Sequence, residues 1–224
     1  HFREAKKRKS YKSRFWEMPH VILYLPHELS PMLHVLDDRV VKVAGMATRP
    51  KSYRYEWFPH SDMEVALMHT EKDTVMRMMA GFTVATLGGS EHHHRLIGVN
   101  GWVEQPMNPE EKGKLWLADR FMADKADMKW AYKDYWDTPM EALQSGHYGL
   151  DYYPIAAFVE SILQGKPSAM DVYAAAETAA PAILAAQSIE RGGVTLDVPD
   201  FRPGKKRKAG RYPSDNGKKR KTTV

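Results

Sequence analysis

Apolar and polar positions along the chain follow a two-residue period in its first half and a helical period near its end. VVKVAGMA (40–47) has the valine richness of a strand, with DDR as the turn leading in. DMEVALMHTE (62–71) alternates, Met63, Val65 and Leu67 on one side and Glu64 and Thr70 on the other. EKD then connects it tightly to TVMRMMAGFTVAT (74–86), which predicts a hairpin. RLIGVNGWVEQP (95–106) predicts a second hairpin, because Asn100-Gly101 between apolar runs suits a two-residue turn. KLWLAD (114–119) adds a further strand. Strands in succession joined by short turns imply a mostly antiparallel sheet.

Two helical patterns follow. DYYPIAAFVESILQGKP (151–167) places Ile155, Phe158, Val159, Ile162 and Leu163 at helical spacing, with Asp151 near the start, Pro154 in the first turn and Gly165 and Pro167 at the end. MDVYAAAETAAPAILAAQSIERGG (170–193) opens on a capping Asp171 and closes at Gly192-Gly193. Its alanine-rich surface permits close packing, and Pro181 is expected to kink or restart it. VTLDVP reads as a last edge strand. The fold class expected is α+β, an open, mostly antiparallel sheet with helices packed on one face, occupying residues 15–202. The opposite face, rich in Met and Val, is expected to pair with another copy of the chain.

Composition narrows the function classes. With 224 residues, 43% of them apolar, the chain can bury a substantial core, and no window approaches the roughly 20 apolar residues of a membrane helix. There is no cysteine, which excludes disulfides and thiolate-bound zinc and points to a reducing, cytoplasmic setting. The formal charge of +5 is unevenly placed: residues 1–14 and 202–224 carry net charges of +6 and +9, leaving −10 on residues 15–201. A nucleic-acid reader is expected to carry its positive charge on a folded face, so DNA or RNA binding by the body is not expected. The tail beyond Pro203, with KKRK (205–208) and GKKRK (217–221), has too little apolar surface to offset ordering and is expected to be disordered.

Candidate chemistry sits at two places. In VILYLPHELSPML (21–33), His27 lies between a proline-broken apolar run and a second run opened by Pro31; it is either hydrogen-bonded at a helix start or turned toward a substrate. In Gly146-His147-Tyr148-Gly149, followed by Asp151, Tyr152 and Tyr153, the glycines let backbone approach a ligand and a helix start follows. That suits a hydroxyl-rich or anionic ligand; the alternative is an ordinary helix entry with Asp151 as its cap and the tyrosines as packing. His92-His93-His94 does not read as a metal site, since side chains alternate along a strand and no carboxylate stands at ligand spacing. Trp116, Phe121, Trp130, Tyr132, Tyr135 and Trp136 could stack on sugars or anchor a loop-rich region.

YLPHELSP (24–31), DDRVVKVAGMATR, GVNGWVE and above all the run from Gly146 to Gly193 with LDVPDF resemble the C-terminal domain of the glucose–fructose oxidoreductase, inositol dehydrogenase and MocA family. Within it, the pattern is most similar to the NAD-dependent glycosidases of glycoside hydrolase family 109, over residues 15–202. The resemblance implies a sugar or glycoside substrate, with Tyr24 and His27 at the reacting face and His147, Asp151 and Tyr152 as substrate contacts. It implies transient oxidation at the sugar's third carbon, elimination of the leaving group and hydride return. It also implies NAD or NADP, bound mainly by a Rossmann domain; Gly88-Gly89 and Gly98/Gly101 make no G-x-G-x-x-G, so this chain is expected to be the substrate half. Ordinary dehydrogenases of the family often place Asp four residues before the histidine, where this chain has Leu23, a departure from alcohol oxidation through a carboxylate–imidazole pair. The alternative class is a non-catalytic binding or scaffold module whose basic ends recruit an anionic partner.

Overall fold

A computed structural model describes residues 18–55, 58–84, 92–107, 111–118, 128–130 and 139–202. The basic ends, and Phe121, Tyr132, Tyr135 and Trp136, lie outside the described residues. The described chain divides into two compact units, residues 18–84 with 172–202 and residues 92–171.

In the first unit a 3₁₀ turn, Val21–Tyr24, runs into helix α1, Pro26–Leu36. Strands β1 (Val40–Ala47), β2 (Glu64–Thr70) and β3 (Val75–Ala80) follow. The long helix α4 (Val172–Glu190) and the short strand β8 (Leu196–Asp197) complete the unit. The sheet order is β3-β2-β1-β8, antiparallel throughout. The expected hairpin at Glu71–Asp73 pairs β2 with β3 in the register Leu67 opposite Arg77. A bulge between Val40 and Lys42 lets Val40 and Val43 both turn inward, where Met68, Met76 and Met78 meet α1 and α4.

Helix α4 lies close against β1. A Cβ on Gly45 would stand 2.7 Å from the Ala185 carbonyl oxygen, closer than any side chain tolerates. The alanine-rich face read from the sequence is what permits this approach, and Ser188 secures it: its hydroxyl accepts from the Gly45 N–H at 2.9 Å and donates to the Val194 carbonyl at 2.6 Å. The helix is continuous through Pro181 and does not restart there.

Strand β2 inverts the expected sides. Leu67 is 55% exposed, whereas Glu64 and Thr70, the polar side of the alternation, are buried with Ala66 and Met68. Glu64 tolerates burial because both its oxygens are used. One lies 2.9 Å from the His20 ring Nδ1, and the other accepts from the Ile22 N–H at 2.8 Å. The Nε2 of His20 faces Glu190, at the end of α4, at 3.3 Å.

The loop between β1 and β2 is ordered by short polar side chains. Thr48 Oγ1 accepts from the Asp62 and Met63 N–H groups, and Ser52 Oγ from those of Arg54 and Tyr55. Asp62 accepts from the Tyr53 N–H at 2.7 Å and from the Thr83 hydroxyl. Partial burial opposes ionisation of Asp62, but the bonds from Ser52, Thr83 and the Tyr53 N–H, with Arg49 nearby, outweigh it and hold the carboxyl below its ordinary value of 3.8.

In the second unit strands β4 (Arg95–Gly98), β5 (Gly101–Glu104), β6 (Gly113–Leu117) and β7 (Met128–Trp130) form an antiparallel meander. The β4–β5 turn centres on Val99-Asn100, one residue earlier than Asn100-Gly101, since Gly98 pairs with Gly101. Helix α2 (Met140–Leu143), a 3₁₀ turn (His147–Gly149) and helix α3 (Tyr152–Leu163) follow. The strands thus fall into two four-stranded sheets, and the α+β class with open antiparallel sheets is as expected.

Two outcomes follow. Glu64→Gln places an amide nitrogen against a donor and removes a charge-assisted partner, so it should lower stability by about 2–4 kcal/mol in urea unfolding. An exposed control, Glu141→Gln, should change it by less than about 0.5 kcal/mol. Because the Asp62 pKa is depressed by folding, its contribution is present above the ordinary carboxylate value and is lost as pH falls through the folded value. The melting-temperature gap between wild type and Asp62→Asn should therefore narrow on acidification from pH 6 to pH 3.

Candidate functional site

The chain before β1 answers which way His27 faces. Ile22, Leu25, Leu29 and Leu33 are all at most 1% exposed and form one inward stripe across the junction of the 3₁₀ turn and α1. Those positions use up the buried side, so Tyr24 and His27, three residues apart, share the outward one. Pro26 occupies the first turn of α1, where its missing N–H is harmless, and His27 comes next.

Both rings are exposed, and they stack with centroids 4.2 Å apart and planes 17° from parallel. Phe82, just beyond β3, meets Tyr24 edge-on at 5.3 Å. Sequence reasoning missed Phe82: it sits in an apolar run read as strand, and nothing local indicates that the sheet brings it to Tyr24. Leu23 packs against the core. Together the three aromatic groups make an accessible surface carrying one phenol hydroxyl and one imidazole. Such a surface can stack on a flat or C–H-rich ligand face and exchange hydrogen bonds with hydroxyl groups.

The other predicted cluster is in the second unit. His147 adopts a left-handed backbone, φ 50°, which turns its ring Nδ1 onto both Asp151 oxygens at 2.9 and 3.0 Å. Asp151 precedes α3 in the cap position but makes no side-chain capping bond; its carboxylate reaches back to His147 instead. Gly146 makes room for this, because a Cβ there would stand 2.3 Å from Asp151 Oδ2. The backbone of Gly149, φ 97°, turns the chain beneath Ala142. Tyr152 packs edge-on to Tyr153 at 5.5 Å and, with Asp151, borders a groove of about 530 Å³ along α3.

Tyr24 and His27 are thus brought together, as are His147 and Asp151 with Tyr152 alongside; the two groups belong to different units, each described within its own. The histidine run divides its contacts. His93 faces Glu104 at 3.4 Å and His94 bonds Gln105 at 2.8 Å. Trp116 pairs across strands with Trp102, over whose ring Arg95 lies at 5.7 Å.

An antiparallel α+β domain of this kind is found in oxidoreductases. The fold superposes on myo-inositol 2-dehydrogenase from Lactobacillus plantarum with a TM-score of 0.58 at 14% identity, over 88% of this chain and 53% of that one. The chain itself belongs to the family of Glycosyl hydrolase 109 C-terminal domains, whose profile matches residues 23–208. A glycosyl hydrolase family 109 protein of Saccharopolyspora erythraea is 27% identical over 206 residues, 82% of this chain and 43% of the relative. An alpha-N-acetylgalactosaminidase of Tannerella forsythia is 41% identical over 70 residues, 31% of this chain and 15% of its own length. The chain therefore spans less than half the length of these curated relatives.

Every strand pair among the described residues is antiparallel, and no strand, glycine turn and helix unit of the kind that cradles a pyrophosphate is present among them. Among the described residues no helix is long and apolar enough to cross a membrane.

Proposed function

We propose that this chain is the substrate-binding domain of an NAD-dependent glycosidase, with Tyr24 and His27 presented to the reacting sugar and His147, Asp151 and Tyr152 as further sugar contacts. The stacked, outward-facing pair Tyr24–His27 supports this reading most directly. As an imidazole, His27 can take a proton from a sugar hydroxyl and return it to a leaving group. The Tyr24 phenol donates to a neighbouring sugar oxygen, and the flat stack orients the ring by contact with its C–H face. His147, held by Asp151, keeps its second ring nitrogen directed away from the carboxylate and available to a hydroxyl. NAD or NADP would be held mainly by a domain outside this chain, and its chemistry enters no step assigned to these residues.

A second copy of the chain is the occupant proposed for the outer face of sheet β3-β2-β1-β8. Met46, Leu67, Val75 and Met79 stand 75%, 55%, 71% and 45% exposed there, an apolar surface of the kind that covers itself by two-fold pairing.

The chemistry is tested with NAD and a panel of glycosides on the longest polypeptide the reading frame encodes. His27→Ala should lower turnover by about 10²–10⁴-fold. Tyr24→Phe should lower it by roughly tenfold, the loss of about one hydrogen bond to a reacting oxygen. Turnover unchanged in both variants would move the site elsewhere. For the sheet face, sedimentation velocity should give an oligomer for wild type and a monomer for Leu67→Glu combined with Met79→Glu, and a monomeric wild type would sink the pairing.

A further inference from the structure

The β2–β3 register ends where Glu64 faces Ala80, two residues short of Phe82, so sheet pairing does not fix that ring. Asp62 does. On one side of Phe82, Gly81 packs so closely on the Asp62 carbonyl oxygen that a Cβ there would stand 2.7 Å from it, and 3.1 Å from Val84 Cγ2. On the other side, buried Thr83 donates its hydroxyl to Asp62 Oδ1. Asp62 is itself anchored: Oδ2 accepts from the Tyr53 N–H at 2.7 Å, and its own N–H donates to Thr48 Oγ1 at 3.0 Å. An aspartate that only ordered the β1–β2 loop would be satisfied by Ser52 and Tyr53 within it; the bond to Thr83 reaches outside, 21 residues along the chain. The residues before and after Phe82 are thus both gripped by one side chain and its backbone.

The ring held in this way meets Tyr24 at 5.3 Å, with planes 75° apart. His27 covers Tyr24 differently, stacked at 4.2 Å with planes 17° apart. A parallel contact alone leaves a tyrosine ring able to slide and turn within the stack, and an exposed tyrosine has several staggered rotamers to visit. An edge contact at a steep angle to the stack removes that motion. We propose that Phe82 is a positioning residue for Tyr24, held to that task by Asp62: the grip on Gly81 and Thr83 sets the Phe82 ring, and the ring sets the direction of the Tyr24 hydroxyl. Phe82 acts through Tyr24 and is assigned no contact with reacting atoms. The expected effect on turnover rests on Tyr24 being a sugar contact, as proposed above, whereas the packing is read separately.

Paired variants test it, Thr83→Val against Thr83→Ser and Phe82→Leu against Phe82→Tyr. The first of each pair removes the hydroxyl or the ring, and the second retains it. In this chain the His27 ring C–H resonances, assigned with His27→Ala, should lie upfield because they sit against the Tyr24 face. They should move back toward the positions of histidine in an unfolded peptide in Thr83→Val and Phe82→Leu, and stay in place in Thr83→Ser and Phe82→Tyr. In the longest polypeptide the reading frame encodes, given NAD and the glycoside panel, Phe82→Leu should lower kcat about two- to tenfold, the worth of one edge contact, and change KM by less than about twofold. In a Tyr24→Phe background the same substitution should cost less than about twofold, because no hydroxyl is left to aim; a general loss of fold would add in full. Resonances unmoved in Phe82→Leu or in Thr83→Val overturn the proposal, and so does an additive loss in the double variant. Thr83→Val decides it if Phe82→Leu does not fold. Should Tyr24→Phe alone leave turnover unchanged, the sugar reading fails, and the His27 resonances still decide whether Phe82 positions Tyr24.

Discussion

The carboxylate of Glu64 is the point on which the first unit turns. It is almost wholly buried, and a carboxyl group left without hydrogen-bond partners at such a position is strongly destabilising. It is tolerated because the segment before α1 brings it an N–H from Ile22 and a ring nitrogen from His20. The dependence runs both ways: the 3₁₀ turn that carries Tyr24 hangs from strand β2 through this carboxylate, two residues before the phenol. His20 extends the link to Glu190, so the start of the described chain, the sheet and the end of the long helix are joined through one imidazole.

A second constraint sets the distance between helix and sheet. Gly45, Ala185 and Ser188 let α4 lie against β1 almost backbone to backbone, and larger residues at either of the first two positions would lift the helix away. Close seating there leaves space on the same face of the sheet for α1, whose Leu29 and Leu33 complete the core. Asp38 fixes the next turn by accepting the Arg39 N–H and, from the facing hairpin, the Lys72 N–H. The candidate site therefore sits on a rigid base: a helix start held by a buried carboxylate, above a core whose spacing is set by small residues.

The second unit is built differently. Its strands β4 and β5 are joined by a tight turn, but its helix α3 keeps its apolar stripe outward. The His147–Asp151 pair is organised locally, by a left-handed histidine and two glycines, and owes nothing to a buried core. One half of the candidate chemistry is thus supported by deep packing and the other by turn geometry.

The succession of β1 to β6, the two main helices and their glycine ends was legible in the sequence because strand alternation, turn residues and helical stripes are local signals. So was the family, through the run from Gly146 to Gly193. The two-residue spacing of β2 was legible too, but which side faces inward was not: Met63, Val65 and Leu67 look like the core side, and only the arrival of Ile22 and His20 from 42 and 44 residues away makes Glu64 the inward residue. The same holds for the short helix start at Pro26, whose apolar residues give no clear period until Ile22, Leu25, Leu29 and Leu33 are seen to face one sheet. Tyr24 and His27 could be named from the sequence; that they stack, face outward and meet Phe82 was decided by tertiary packing, because burial on one side of a helix fixes what remains on the other.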